Sequence, residues 1–296
     1  MSFHKSPEKK NLMKQLIAML LLLPVCCSSC KPDKAETANV LQPNAILNAS
    51  GKTLEQRFNP PDGYRRKPAP ANSFTAYLRG LELKPNGSPV LYYNGAEKPN
   101  DHIYAAVVKM DIGNKDLQQC ADAVMRLRAE YLYKTGRYDK VHFNFTSGFR
   151  ADYSKWAEGY RIVISGGKAG WVKRTAAATD YASFRAYLET VFSYAGTLSL
   201  SRELKAVSYT DMQPGDVLIQ GGSPGHAVIV ADVAEDGMGR KVYLLAQSYM
   251  PAQETQVLEN PANAGISPWY ALNKNDAQIV TPQWEFTTSD LKRFGD

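Results

Sequence analysis

The chain has 296 residues, of which 44% are hydrophobic and 10% aromatic, and a formal charge of +6. That length and composition suit a globular protein with a sizeable core. The charge does not point to nucleic acid. Residues 1–29 hold four lysines and one glutamate, a net +3, so the remainder carries only +3. Its densest basic cluster, Arg65-Arg66-Lys67, lies beside prolines in a predicted loop and not on a concentrated basic face.

The N-terminus reads as a targeting segment. Lys5, Lys9, Lys10 and Lys14 make a basic start, and Leu16 to Val25 form an apolar run of ten residues. A bilayer span takes about 20, so the run suits a signal peptide. Ser28 and Ser29 then lead into Cys30. The pattern resembles a bacterial lipoprotein signal, although Cys27 stands where such signals usually carry Leu or Val. The resemblance implies removal of residues 1–29, lipidation of Cys30, and export to the cell envelope (outer membrane or periplasmic face) with the lipid as the link to the membrane. An ordinary signal peptide cleaved nearby is the alternative. Residues 30–50 are polar and aperiodic and read as a flexible tether. The expected domain runs from 51 to 296, without internal repeats.

Within it, Ser73 is placed to cap a short helix carrying Phe74, Tyr77 and Leu78. Val90 to Tyr93 followed by Asn94-Gly95 predicts a strand entering a tight turn, and 103–110 a second strand. The clearest helix is 116–134, with Asp116 as N-cap and Gly136 at its stop. Cys120, Val124, Leu127 and Tyr131 recur at helical spacing on one face. Strands follow at 140–145 and 160–164, then a helix over 181–194. Antiparallel strands are expected at 217–220, 226–232 and 241–248, the last two joined by the Glu235-Asp236-Gly237 turn. A helix packed on a later antiparallel sheet is an α+β pattern.

Three of the four cysteines fall in the first thirty residues, which leaves Cys120 as the sole thiol of the body. An unpaired thiol in an exported protein is liable to oxidation and wants a reason to persist; core packing is the plain alternative. A thiol is useful as a thiolate, favoured beside an imidazolium or at a helix N-terminus. Of the body's three histidines, His102, His142 and His226, the last stands out. It opens a strand after Pro224-Gly225, with Val228 and Val230 on its side and Ala227, Ile229 and Ala231 on the other. Gln247 or Ser248 on the next strand can accept its N–H and select its tautomer. No metal-ligand spacing, phosphate loop or other cofactor motif is present.

The stretches Pro214-Gly215-Asp216-Val217-Leu218-Ile219 and Gly225-His226-Ala227-Val228-Ile229-Val230 resemble the histidine-bearing half of NlpC/P60 and CHAP amidases. Those are papain-like cell-wall hydrolases with a PGD turn before one strand and GH opening the next. Gln119-Cys120 is similar to the Gln-Cys pair common in CHAP domains. The resemblance implies Cys120 as nucleophile, His226 as general base and Gln247 as the residue orienting the imidazole. Gln119 would assist the oxyanion, and an insertion around 144–195 is implied. Its Tyr153, Trp156, Tyr160 and Trp171 either wall a substrate groove or are ordinary core. Trp156 and, outside the insertion, Tyr249 are the substrate-facing candidates. The residues from Gln119 to Arg128 and from Leu245 to Gln253 also resemble an uncharacterised Bacteroides-type lipoprotein family, a domain of unknown function, over nearly all of the mature chain. The expected activity is thiol acyl transfer cleaving amide bonds, with peptidoglycan stem peptides as the substrate that analogy implies. The rival expectation is a non-catalytic envelope binding or structural lipoprotein on the same fold.

Overall fold

The computed structural model describes residues 45–273, 275 and 277–295; the expected signal segment, Cys30 and most of the expected tether lie outside them. Leu47, inside the expected tether, bridges Phe58. Helices run over Leu54–Arg57 (α1), Phe74–Arg79 (α2), Cys120–Lys134 (α3), Tyr153–Ala157 (α4), Tyr181–Tyr194 (α5) and Thr197–Glu203 (α6). Strands are Tyr104–Val107 (β1), His142–Asn144 (β2), Arg150–Asp152 (β3), Tyr160–Ser165 (β4), Lys168–Lys173 (β5), Lys205–Ala206 (β6) and Val217–Gln220 (β7). They continue with His226–Glu235 (β8), Lys241–Gln247 (β9), Gln256–Leu258 (β10), Tyr270–Leu272 (β11), Gln278–Val280 (β12), Glu285–Thr287 (β13) and Leu291–Arg293 (β14). No helix among the described residues is long and apolar enough to cross a membrane.

The class is mixed α and β, built on one eight-stranded antiparallel sheet. Its order is β1-β10-β9-β8-β7-β14-β6, with β11 sharing the outer edge of β9. Alternation along β8 divides the protein. Ala227, Ile229 and Ala231 join the larger core beneath α2 and α3, while Val228 and Val230 join a second core closed by Tyr209, Ile279 and Phe286. Both faces of β8 are therefore buried, which explains its nearly continuous run of apolar residues. The sheet register breaks once here: Val230 pairs with Leu245 but Asp232 with Leu244, so Ala231 is the extra residue of a β-bulge.

Below the bulge, Asp232 is fully buried and clamped by two arginines. Arg79 Nε donates to its Oδ1 at 2.8 Å and Arg66 Nε to its Oδ2 at 2.5 Å. This fastens α2 and the loop before it to the sheet, and gives Arg66 of the basic cluster a structural task. Ser73 caps α2 by accepting the N–H of Ala76 at 3.1 Å. The turn before β7 needs glycine twice over: Gly215 has φ +95°, and a Cβ there would lie 2.6 Å from the Phe74 ring.

Helix α3 starts later than the composition suggested. Gln119, not Asp116, is its N-cap, and Cys120 is its first residue. Asp116 instead spends its Oδ1 on the Ala252 N–H at 2.7 Å and on Gln119 Nε2 at 3.1 Å. The other end closes as expected: Gly136 adopts φ +71° and the Arg137 N–H returns to the Leu132 carbonyl at 2.9 Å. The region 144–195 supplies β3, α4, the β4–β5 hairpin and α5; α4 and α5 meet the far half of α3 through rings such as Phe184, stacked on Tyr133 at 4.3 Å.

Candidate functional site

His226 and Gln247 meet at the start of β8, and the first turn of α3 brings Cys120 up to the backbone of the adjoining Ala227. Gly225 makes that start possible. A Cβ on it would stand 2.5 Å from the Gly222 carbonyl oxygen and from Thr197 Oγ1, so the turn before His226 closes against α6 only without a side chain. His226 pairs across the strands with Gln220, and its ring lies against Tyr249, Trp284 and Phe286 at centroid distances of 4.9, 5.3 and 5.9 Å. Alternation puts this ring on the side of the second core, while α3 lies on the other face of the sheet. Ring and helix can approach only at the strand's end, and there the backbone of Ala227 lies near enough to the Cys120 sulfur to favour its ionised form.

The imidazole is anchored at one nitrogen. Nε2 lies 2.8 Å from the Gln247 side-chain oxygen, and Gln247 Nε2 donates to Gln283 Oε1 at 2.9 Å. Lys98 Nζ donates to the same Gln283 oxygen at 2.8 Å. Nδ1 of His226 has no hydrogen-bond partner among the described residues, and so keeps a free lone pair in the neutral ring. Burial is the main cause that lowers the His226 pKa to about 4; the bond to Gln247 opposes it and the Lys98 charge adds to it. At neutral pH the ring is an uncharged base.

The thiol is held back in the same way. Burial first, and then the Asp122 charge, push Cys120 up to about 11, against backbone hydrogen bonds from Ala121, Ala227 and Cys120 itself. Asp122 is itself buried enough to be raised to about 8, so near neutral pH it carries a proton and adds no repulsion. The resting pair is thus thiol and imidazole, with helix N–H groups already aimed at the sulfur. Tyr249 borders both groups, since its ring packs on the imidazole and its phenol is raised by burial first and then by the Cys120 charge. Cys120 is 6% exposed and His226 2%. Neither of two surface cavities, of about 810 and 450 Å³, counts either residue in its lining.

The other expected site residues separate. Gln119 gives one of its two side-chain N–H groups to Asp116, which holds its amide toward that carboxylate. Its neighbour Gln118 is buried and binds Arg126 Nη1 through Oε1 at 2.9 Å, which ties that amide farther along α3. The backbone N–H groups of Cys120 and Ala121 are left as the donors beside the sulfur. Trp156 is buried in the larger core against Tyr187 and donates to Ser183 Oγ at 3.1 Å; with the fully buried Tyr153 it is packing and no groove wall. Sequence reasoning missed Lys98, Gln283, Trp284 and Phe286. They come from distant loops and a short hairpin, and no local pattern marks them. Among the described residues no group of three His, Cys, Asp or Glu side chains is placed to hold a metal ion.

Residues 54–293 match the family model described as Domain of unknown function (4846), well over half of the chain. The chain belongs to that family. Cys120, His226 and Gln247 all lie within the span of Domain of unknown function (4846), whereas Cys30 lies before it. No curated protein and no solved structure matches the chain.

Proposed function

We propose that the chain is a papain-like cysteine hydrolase that cleaves amide bonds, exported and anchored to the cell envelope through a lipid on Cys30. One observation carries this reading. A thiol at the first position of a helix, the only thiol of the described chain, reaches the backbone beside a histidine whose Nε2 is fixed by an amide oxygen and whose Nδ1 is left open to serve as a base.

The chemistry runs as follows. Nδ1 takes the Sγ proton as sulfur attacks the amide carbonyl carbon, and a C–S bond forms. The N–H groups of Cys120 and Ala121 stabilise the oxyanion. The C–N bond breaks, the amine leaves with the proton from Nδ1, and water then hydrolyses the thioester through the same base. Because the resting pair is neutral, the thiolate exists only as the proton passes, which suits a sheltered site opened by substrate. The partly exposed Tyr249 is the side chain that must swing aside to admit it. By analogy with cell-wall amidases the substrate is a peptidoglycan stem peptide.

The decisive assay incubates the purified chain with muropeptides and reads the products by mass spectrometry. Cleavage that vanishes in Cys120→Ser and His226→Ala supports the reading; intact substrates with the wild type overturn it. Fatty-acid labelling that needs Cys30 tests the anchor separately. The near-complete burial of Cys120 and His226 favours a second reading, a non-catalytic envelope protein in which the thiol is core. Under that reading Cys120 resists thiol-directed electrophiles until the protein unfolds.

A further inference from the structure

Lys98 is 5% exposed, and among the described residues no carboxylate pairs with it. A buried ammonium without a counter-ion is costly, so what it contacts matters. Its contacts are few. Nζ donates to Gln283 Oε1 at 2.8 Å and lies 5.7 Å over the Tyr249 ring, the same ring that covers His226. Its backbone is fixed too: the Lys98 N–H bonds the Val90 carbonyl at 2.8 Å, below the turn at Asn94-Gly95 that Leu91 and Glu97 close.

The hydrogen bonds that follow admit one direction only. An ammonium has three donors and no acceptor, whereas a glutamine amide has an oxygen end and an N–H end that can exchange places. Lys98 therefore requires the oxygen of Gln283. That oxygen also lies 2.9 Å from the end of Gln247, which must then present its NH₂ group. The opposite end of Gln247, 2.8 Å from His226 Nε2, is consequently oxygen, and Nε2 must carry the proton. Turned over, the Gln247 amide would face the Gln283 oxygen with a second oxygen, and the ring would be pressed toward the Nδ1–H form, which has no lone pair for a thiol proton.

We propose that Lys98 is a positioning residue for His226, fixing through the Gln283 and Gln247 amides the tautomer in which Nδ1 is the base. This rests on the hydrolase reading above, and it adds residues that neither the sequence motifs nor the triad contain. Lys98 touches no reacting atom. Its effect is directional, passed along two amides whose orientations are otherwise nearly equal in energy. A charge so placed also keeps the ring neutral, since it disfavours an imidazolium a few bonds away.

The test reads the tautomer directly, by ¹⁵N chemical shifts of the His226 ring in the full chain at pH 7, assigned with His226→Asn. The wild type is expected to show Nε2–H alone. Lys98→Met removes the donor at similar length and is expected to give a mixture of tautomers, with hydrolysis slowed about 10- to 100-fold. Lys98→Met combined with Gln283→Glu is expected to recover Nε2–H alone. A carboxylate at 283 can only accept, and so dictates the orientation of Gln247 without the lysine. A single Nε2–H tautomer in Lys98→Met, or no recovery in the double variant at unchanged melting temperature, overturns the proposal. Should Lys98→Met not fold, Gln283→Leu at the half-exposed position 283 carries the same expectation. A tautomer that obeys Lys98 in a protein without hydrolase activity sinks the hydrolase reading alone. An active protein whose tautomer ignores Lys98 sinks this proposal alone.

Discussion

The side-chain oxygen of Gln247 stands 2.8 Å from Nε2 of His226, with the two residues on adjacent strands of one sheet. Removing that oxygen frees the ring to exchange its proton between Nε2 and Nδ1 while leaving the sulfur in place. Gln247→Ala is expected to lower kcat on the order of 10²-fold with little change in KM. Steady-state kinetics on a cleaved muropeptide provide the check, and an unaltered kcat counts against the assignment.

Cys120 carries the proposed reaction but little of the packing. Cys120→Ser is expected to abolish cleavage and shift unfolding free energy by only about 1 kcal/mol. The same thiol, pushed up to about 11, should react with an electrophile at a rate that rises about tenfold per pH unit from 7 to 10. Rapid labelling at pH 6 would contradict the neutral resting pair.

Acid should weaken the fold through His226 and alkali through Asp122. The unfolded ring takes a proton near pH 6.5, whereas the folded ring does so only near 4. Its contribution is therefore full above 6.5 and is lost as pH falls toward 4, by about 3 kcal/mol at most. Asp122 has the opposite sign. Its folded pKa is raised to about 8 from 3.8, so its contribution is full below 3.8 and is lost as pH rises through 8. Urea unfolding at pH 4.5, 7 and 8.5 separates them. His226→Gln should lose the acid-side weakening. Asp122→Asn, whose side-chain oxygen can still accept the Gln119 N–H, should gain on the wild type as pH rises. Parallel pH profiles for wild type and variants would remove both assignments.

The clamp on Asp232 belongs to the fold and not to the site. Asp232→Ala leaves the guanidinium groups of Arg66 and Arg79 facing a buried void, and should cost about 3–5 kcal/mol. Chemical denaturation measures the loss. A cost under 1 kcal/mol would mean that the arginines turn to solvent without penalty.

Much of this architecture is legible in the chain. Local signals placed α2 through Ser73, the stop of α3 through Gly136 and the strand at His226 through Gly225, because each is a short-range steric or hydrogen-bonding demand. The start of α3 was misread, since Asp116 is a good cap by type but is drawn to the Ala252 N–H from 136 residues away in sequence. The pairing of His226 with Gln247 was legible from motif and spacing. Its buried setting was not, because Trp284 and Phe286 arrive on a three-residue strand and its flank, too short to show a period. Trp156 looked like a recognition residue because an aromatic at the surface and one in a core read alike until the partner helix is known. Lys98 was invisible, as a lysine near a turn ordinarily lies in water.

The bulge at Ala231 has a mechanical consequence. It divides β8 into two pieces with independent phase against β9, one carrying the histidine and one the arginine clamp. Small shifts where Asp232 is gripped are absorbed at the extra residue and do not propagate as a rotation of the imidazole. The strand behaves less like a rod than like two rulers joined by a slip joint, so a displacement at the arginine clamp need not reach the alignment near Cys120.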